Sequence, residues 1–494
     1  MNNLSLRQGL KSATDWLSEG PKQLYVGGEW RAPADGGKFF SINPATDEQI
    51  AEISAAGPED VEIAARAATE ALDNAAWSEI SPHSRADFLL ELSRLVLENR
   101  EQLAVLESLD MGAPICLSAK WIENSARTLR YYAGWATKVF GETLPSDGER
   151  FMYTLREPVG VCGLITPWNT PFLQAINKIA PALAFANTCI VKPSEVASLS
   201  TIRLFELIDS IGLPRGVASL LTGKGSIVGG AMVRSPLITK VVFTGSSEVG
   251  RQIYRDSGAS MRKLTLELGG KSPNIIFPDA DLDKAVTAAV AGFCRNSGQV
   301  CSAGSRILVY EDIMDDFAER LAVATSQQVV GEPLDVRTQV GPLASRTQLE
   351  TVQAHLEQAR REPGSKILGG DGQHGVGCYI TPAIVVGLAN DAALARQEIF
   401  GPVTMLMPFR SEEEAVKMAN DTEFGLASAI WTNDLSRAHR LSKRLRSGRV
   451  WINTYAEVDQ VLPLGGTKNS GIGRELGHAA IETYTEMKSV LMRL

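Results

Sequence analysis

The stretch "VGVCGLITPWNTPFLQAINKIAPALAFANTCIVKPSE", Val159 to Glu195, holds two unlike apolar patterns side by side. VGVCGLI and TCIV are short continuous apolar runs bounded by Gly, Pro and polar residues, which reads as buried strand. Between them PFLQAINKIAPALAFA opens on Pro171, suited to the first helical position, and is long enough for a helix. The alternation continues through SLSTIRLFELIDSIG, GVASLLTG, SIVGGAMVRS, ITKVVFTG, SSEVGRQIYRDSG and RKLTLEL, ending at Leu268. Strand and helix alternating at this spacing imply right-handed crossovers and a parallel sheet with helices on both faces, an α/β fold.

Upstream, helix-period segments dominate residues 60 to 140, and downstream a second α/β unit follows. DLDKAVTAAVAGFCR begins at Asp281, a suitable N-cap, and sets Leu282, Ala285, Val286, Ala289, Val290 and Phe293 on one face. That helix delivers the chain to NSGQVCSAGSR, Asn296 to Arg306. Beyond lie strand RILVY, helices near 312–328 and 345–361, strand LASAIWT, a helix at 434–446, strand RVWINT and the Gly-rich LPLGGTKNSGIGRELG.

At 494 residues the chain exceeds one core, and about 150 residues per domain gives roughly three. Its formal charge of -8 and lack of a basic stripe exclude the usual footprint of a nucleic-acid partner. No apolar block has signal-peptide length and none approaches the roughly eighteen residues of a membrane span, so no membrane partner and a cytoplasmic location are expected. Cys116, Cys162, Cys189, Cys294, Cys301 and Cys378 are scattered without a C-x-x-C pair. His83, His355, His374, His439 and His478 show no ligating spacing, so no metal site is expected.

Open parallel sheets bind ligands outside the carboxyl ends of their strands, and the chemically distinctive residues fall there. FTGSSEVG, Phe243 to Gly250, and the triple-glycine run GKGSIVG at 223–229 each follow a strand; either is a phosphate cradle or a plain turn. Lys192 and Glu195 in KPSE read as a ribose acceptor with its cation or as a surface ion pair. Glu267 alternates with Leu264, Leu266 and Leu268, which makes it a solvated strand residue or a base poised before a Gly-Gly turn. Cys301 stands among small residues past a helix end, an inert hydrophobe or a nucleophile that a substrate can reach.

TPWNTP, KPSE, FTGSSEVG, LELGGKSP, NSGQVCSAGSR, EIFGPV, NDTEFGLASAIWT and PLGGTKNSGIGRELG occur in one order and spacing. Together they resemble the aldehyde dehydrogenase superfamily from about Leu24 to the end of the chain. The resemblance implies a Rossmann-type dinucleotide-binding domain from 1–139 and 158–268. It also implies a catalytic α/β domain at 269–476 and a bridging, oligomerising element from 140–157 and 477–494. It implies oxidation of an aldehyde to its acid: Cys301 attacks as thiolate, and Asn169 with the Cys301 N–H holds the oxyanion. Hydride leaves for a nicotinamide, and Glu267 activates the water that hydrolyses the thioester.

By the same resemblance Lys178 and Glu475 order the site and relay protons, with an ion pair as the competing reading. The cofactor residues implied are Ile165, Trp168, Lys192, Glu195, Gly225, Gly245, Ser246, Leu268, Glu398 and Phe400. Glu195 would repel a 2′-phosphate, so NAD is expected over NADP. The substrate pocket implied is Thr170, Leu173, Gln174, Asn177, Ser302, Val458 and Leu464. With no aromatic cage and no arginine at Asn177, the expectation is a wide, mainly apolar pocket for a bulky neutral aldehyde of fatty, aromatic or terpenoid type. A CoA-acylating enzyme and a non-catalytic binding protein are the alternatives. The terminal IETYTEMKSVLMRL, read as an exposed strand, predicts a homodimer or homotetramer.

Overall fold

The computed structural model describes residues 3–371 and 375–494, so His374 lies outside the described residues. Within them the alternation read from Val159 onward builds the centre of an eight-stranded sheet. Val161–Ile165, Thr188–Lys192, Ala218–Leu220, Lys240–Thr244 and Lys263–Glu267 run parallel to one another. Leu24–Val26 and Glu29–Arg31 extend one edge as antiparallel strands, and Gly471–Ile472 closes the other against Lys263–Glu267.

Register decides where the chemistry falls. Ile165 lies opposite Lys192 on one side and Phe243 on the other, and Thr244 lies opposite Glu267. The carboxyl ends of four strands therefore share one edge, the place where such sheets bind ligands. The chain leaves Glu267, crosses Leu268–Ser272 and enters Pro273–Ile276 of a second, seven-stranded sheet. That sheet orders Lys366–Gly369, Ala383–Val386, Val403–Phe409, Arg306–Tyr310, Pro273–Ile276, Ala427–Trp431 and Arg449–Ile452, parallel except at its first pair. Thr143–Leu144, Arg150–Pro158 and Thr485–Arg493 make a separate antiparallel sheet with the last strand at its edge.

The helix Leu282–Cys294 forms where its apolar face predicts, and Asp281 caps it by accepting from Lys284 N at 3.2 Å. SIVGGAMVRS differs from the helix expected: Gly225–Gly229 is a π turn that runs into the short helix Gly230–Arg234. Three glycines among the ten residues Gly225–Arg234 weaken the regular helical ladder there.

Both faces of each large sheet bury apolar clusters, and two carboxylates are buried with them. On the helix Arg100–Met111, Glu107 Oε1 accepts from Phe172 N and from Ser200 Oγ, each at 2.8 Å. Asp110, one turn on, accepts from Leu199 N at 2.7 Å and Ser41 Oγ at 2.5 Å. One helix thereby satisfies first-turn groups of both Pro171–Ala184 and Leu199–Ser210, donors that a helix cannot satisfy itself. Replacing Glu107 by Leu strands two buried donors. At about 1–3 kcal/mol for each group left unsatisfied, the urea midpoint is expected to fall clearly. An unchanged midpoint would show that the carboxylate does not anchor these helices.

Candidate active site

After Cys294 the chain makes an unusual turn. Asn296, Ser297 and Gly298 all take positive φ, at 53°, 55° and 72°. Two of these are not glycine, so the strain must be held by neighbours. Asn296 Nδ2 donates to Asn169 O at 2.8 Å, and Ser297 Oγ donates to Gly341 O at 2.7 Å. Gln299 Nε2 donates to Asn296 O at 3.1 Å while its Oε1 accepts from Ala344 N at 2.9 Å. A Cβ on Gly298 would run into Gly401 O, and one on Gly270 into Cys301 O, so the loop closes only around glycine at both points.

This turn sets Cys301, half-buried, into a cleft shared with Asn169, Gln174, Thr244, Gly245, Ser246, Glu267, Leu268, Trp168, Gln348, Glu398 and Phe400. Burial, Glu398 and Glu267 together push the thiol up to about 12. Asn169 Nδ2 spends one N–H on Gln299 O at 2.8 Å and keeps a second to give.

Glu267 ends its strand buried, and its Oε1 has no hydrogen-bond partner among the described residues. Burial first, then the Glu475 carboxylate, raise its pKa well above the usual range, with Lys178 opposing. Lys178 and Glu475 form the ion pair at 2.8 Å, their side chains 0% and 1% exposed. Lys178 Nζ also donates to Thr244 Oγ1 at 2.7 Å and Gln174 Oε1 at 3.3 Å. The ion pair is present, and both its charges act on Glu267.

Along the same edge Lys192 Nζ lies 3.1 Å from Glu195 Oε2, and Gly225 N donates to Glu195 Oε1 at 3.2 Å. Partial burial alone would raise Glu195, but Lys192 and these hydrogen bonds hold it below the ordinary carboxylate range. Ser246 caps the helix Ser247–Ser257, accepting from Val249 N at 3.3 Å. Glu398 Oε1 accepts from Gly270 N at 3.1 Å, and burial lifts its pKa to about 7. Phe400, at φ 56°, packs edge-on to Trp168 at 5.2 Å.

The cleft gathers ten of the residues expected at the site. Ile165, Lys192, Glu195 and Gly225 lie along the sheet edge outside it. Sequence reading missed Gln348, whose Nε2 donates to Phe400 O at 2.9 Å and Ile399 O at 3.2 Å. Its only signal is a place three residues after the helix cap Ser345. It also missed Asn296, Ser297 and Gln299, although they flank the cysteine.

Among the seven expected pocket residues Gln174 lines the cleft, whose wall is mainly apolar. Asn177 Oδ1 accepts from Thr128 Oγ1 at 3.4 Å, while Leu173 packs towards Trp121 and Trp168. Thr170 is a buried helix cap, Ser302 O accepts from Tyr455 OH at 2.9 Å, Val458 is exposed and Leu464 is bridged to Glu475. Four of the seven, Thr170, Gln174, Asn177 and Ser302, are polar.

A nucleophile candidate, an amide donor and an unpaired carboxyl, set at the carboxyl ends of a parallel sheet, define a dehydrogenase-type acyl-transfer site. The chain belongs to the aldehyde dehydrogenase family, whose model matches residues 30–490. It is similar to retinal dehydrogenase 2 of Gallus gallus, 41% identical over 96% of this chain and 92% of that one. It is equally similar to hydroxyisobutyraldehyde dehydrogenase of Mycolicibacterium austroafricanum, 41% identical over 98% and 96%. Among solved structures, the NAD+ complex of an aldehyde dehydrogenase from Bacillus cereus superposes with a TM-score of 0.96 at 38% identity, covering 98% of both chains.

With its thiol at about 12, Cys301 is expected to react with iodoacetamide about tenfold faster for each pH unit between 7 and 9 in the ligand-free protein. Peptide mass spectrometry separates it from exposed Cys116. A plateau above pH 7 would contradict the raised thiol.

Proposed function

We propose that this chain is a hydrolytic, NAD-dependent aldehyde dehydrogenase with Cys301 as nucleophile and Glu267 as general base. One observation carries the reading: Cys301, Asn169 and an unpartnered, raised-pKa Glu267 open onto a single cleft.

In this reading Glu267 takes the thiol proton, Cys301 Sγ bonds to the carbonyl carbon, and the carbonyl π pair moves to oxygen. Asn169 Nδ2–H and Cys301 N–H meet that charge, each such donor being worth about 2.7–4 kcal/mol in a water-excluded site. NAD, when bound, supplies the hydride acceptor. Glu267 then deprotonates the water that cleaves the thioester, restoring the thiol and releasing the acid. Lys178 and Glu475 carry protons away from Glu267 and fix its surroundings.

The residues present fit the cofactor. Gly245, Ser246 and the helix they open offer amides for the pyrophosphate. Glu195 accepts from the adenosine ribose, with Lys192 beside it and Gly225 at the turn. Glu398 and Phe400 hold the nicotinamide ribose, while Ile165, Trp168 and Leu268 supply apolar walls. Glu195, kept ionised, disfavours a 2′-phosphate and so supports NAD over NADP. The same reading assigns 1–139 and 158–268 to cofactor binding, 269–476 to catalysis, and 140–157 with 477–494 to bridging.

For the substrate, Asn177 in place of a charged side chain supports a neutral aldehyde. The bulky apolar class draws support from Leu173, Val458 and Leu464 and from the mainly apolar lining of the cleft, with Trp168, Leu268 and Phe400 in it. A CoA-acylating role would leave the Glu267 carboxyl without work. The edge strand Thr485–Arg493, with Met487, Leu491 and Met492 exposed, favours a dimer or dimer of dimers.

Steady-state assays are expected to give NADH and free acid without CoA, with the activity lost in Cys301→Ala. A CoA requirement, or turnover in that variant, would refute the reading. Ionised Glu398 accepts ribose hydroxyls with both oxygens, and protonation near pH 7 removes one of them, so cofactor affinity is expected to be full above pH 8 and to weaken as the pH falls below 7. NADH fluorescence titrations check this, and a flat profile from pH 6 to 8 would contradict it. Sedimentation showing monomer alone would rule out the assembly.

A further inference from the structure

The helix Pro171–Ala184 serves the site along its length. Asn169 stands just before it, Gln174 lines the cleft from its first turn, and Lys178 meets Glu475 from its second. Whatever fixes the start of this helix bears on all three. Its cap residue, Thr170, makes no side-chain bond to the first turn. The acceptor comes from another helix: Glu107 Oε1, on Arg100–Met111, takes the bond from Phe172 N at 2.8 Å. Ser200 Oγ donates to the same oxygen at 2.8 Å, so the carboxyl is itself held in place.

The path from that bond to the Asn169 amide is short and stiff. Asn169 lies three residues before Phe172, with Pro171 between them. Proline fixes its own φ and confines the residue before it, and Thr170 sits at φ −153° and ψ 61°. From the other side the cysteine loop grips Asn169: its O accepts from Asn296 Nδ2 and its Nδ2 donates to Gln299 O, each at 2.8 Å. The amide is thus stretched between two anchors, the loop that carries Cys301 and the buried carboxyl of Glu107.

We propose that Glu107 is a positioning residue for Asn169: by holding the first turn of Pro171–Ala184 it keeps the Asn169 amide aimed at the oxygen of a tetrahedral adduct on Cys301. The proposal rests on Cys301 acting as nucleophile and Asn169 as its oxyanion donor. Loss of one such donor costs about 10²–10³ in rate, and a misplacement of about 1 Å can cost about 10²-fold. Glu107 Oε2 has no hydrogen-bond partner among the described residues, so both bonds rest on Oε1, which an amide oxygen can reproduce.

The test uses p-nitrophenyl acetate, which requires no knowledge of the aldehyde. Cys301 Sγ bonds to the ester carbonyl carbon and the π pair moves to oxygen; collapse of the adduct breaks the C–O bond, and p-nitrophenolate leaves with the electron pair. Stopped flow reads the rate constant of the burst, which does not depend on how much of the protein is folded. Glu107→Leu is expected to slow the burst about tenfold or more, and Glu107→Gln to stay within about threefold of wild type. In Asn169→Ala no amide remains to be aimed, so adding Glu107→Leu is expected to change the burst by less than about twofold. Alkylation of Cys301 by iodoacetamide forms no oxyanion, and its rate in Glu107→Leu is expected to match the wild type. If the leucine variant does not fold, Glu107→Asp, one methylene shorter, replaces it throughout. An unchanged burst, losses that multiply in the double variant, or equal slowing of burst and alkylation would overturn the inference and leave the dehydrogenase reading intact. A wild-type burst that does not depend on Cys301, or no loss in Asn169→Ala alone, would defeat the reading on which it rests.

Discussion

The buried pair of Lys178 and Glu475 is the constraint on which the site depends. It fastens a helix of the first sheet to a loop contributed by the last twenty residues, with Thr244 at a strand end taking a further bond from the ammonium. Removing one partner of such a pair costs about 3–5 kcal/mol, because the other charge is left in a medium that cannot solvate it. The pair also bears on Glu267. Burial first, and then the Glu475 carboxylate against the opposing Lys178, make Glu267 hold a proton more tightly than a free glutamate. A base of that strength is better matched to neutral pH than an ordinary carboxylate would be.

Strain is concentrated where the thiol is presented. Three successive left-handed residues turn the chain from the helix Leu282–Cys294 towards Cys301, and side-chain bonds from Asn296, Ser297 and Gln299 hold them. The Asn296 amide grips the carbonyl of Asn169, whose own amide grips Gln299 O. The thiol and the Asn169 amide are therefore placed relative to each other by the same bonds. Phe400, also at positive φ, fixes the opposite wall against Trp168.

The central sheet was legible because its strands are short apolar runs separated by capped helices, and because an alternating pattern leaves few topologies. Cys301, Asn169 and Glu267 were legible as a set, since their motifs recur in one order. Less visible were elements whose identity depends on distant partners. Val403–Phe409, central in the second sheet, sits behind EIFGPV and contains Pro408, which argues against an inner strand. Positive φ at Asn296 and Ser297 leaves no mark in the sequence. Asn177 reads as an isolated polar residue until Thr128, 49 positions earlier, is found against it.

The proposed chemistry passes through an acyl group on Cys301 which Glu267 is needed to release. Rapid mixing of Glu267→Gln with NAD and a competent aldehyde, followed by mass spectrometry of the Cys301 peptide, tests it most directly. The account requires a burst of one NADH per subunit and a stable acyl adduct on Cys301 with little acid released. Steady acid production at the wild-type rate, or a burst with an unmodified cysteine, would contradict it.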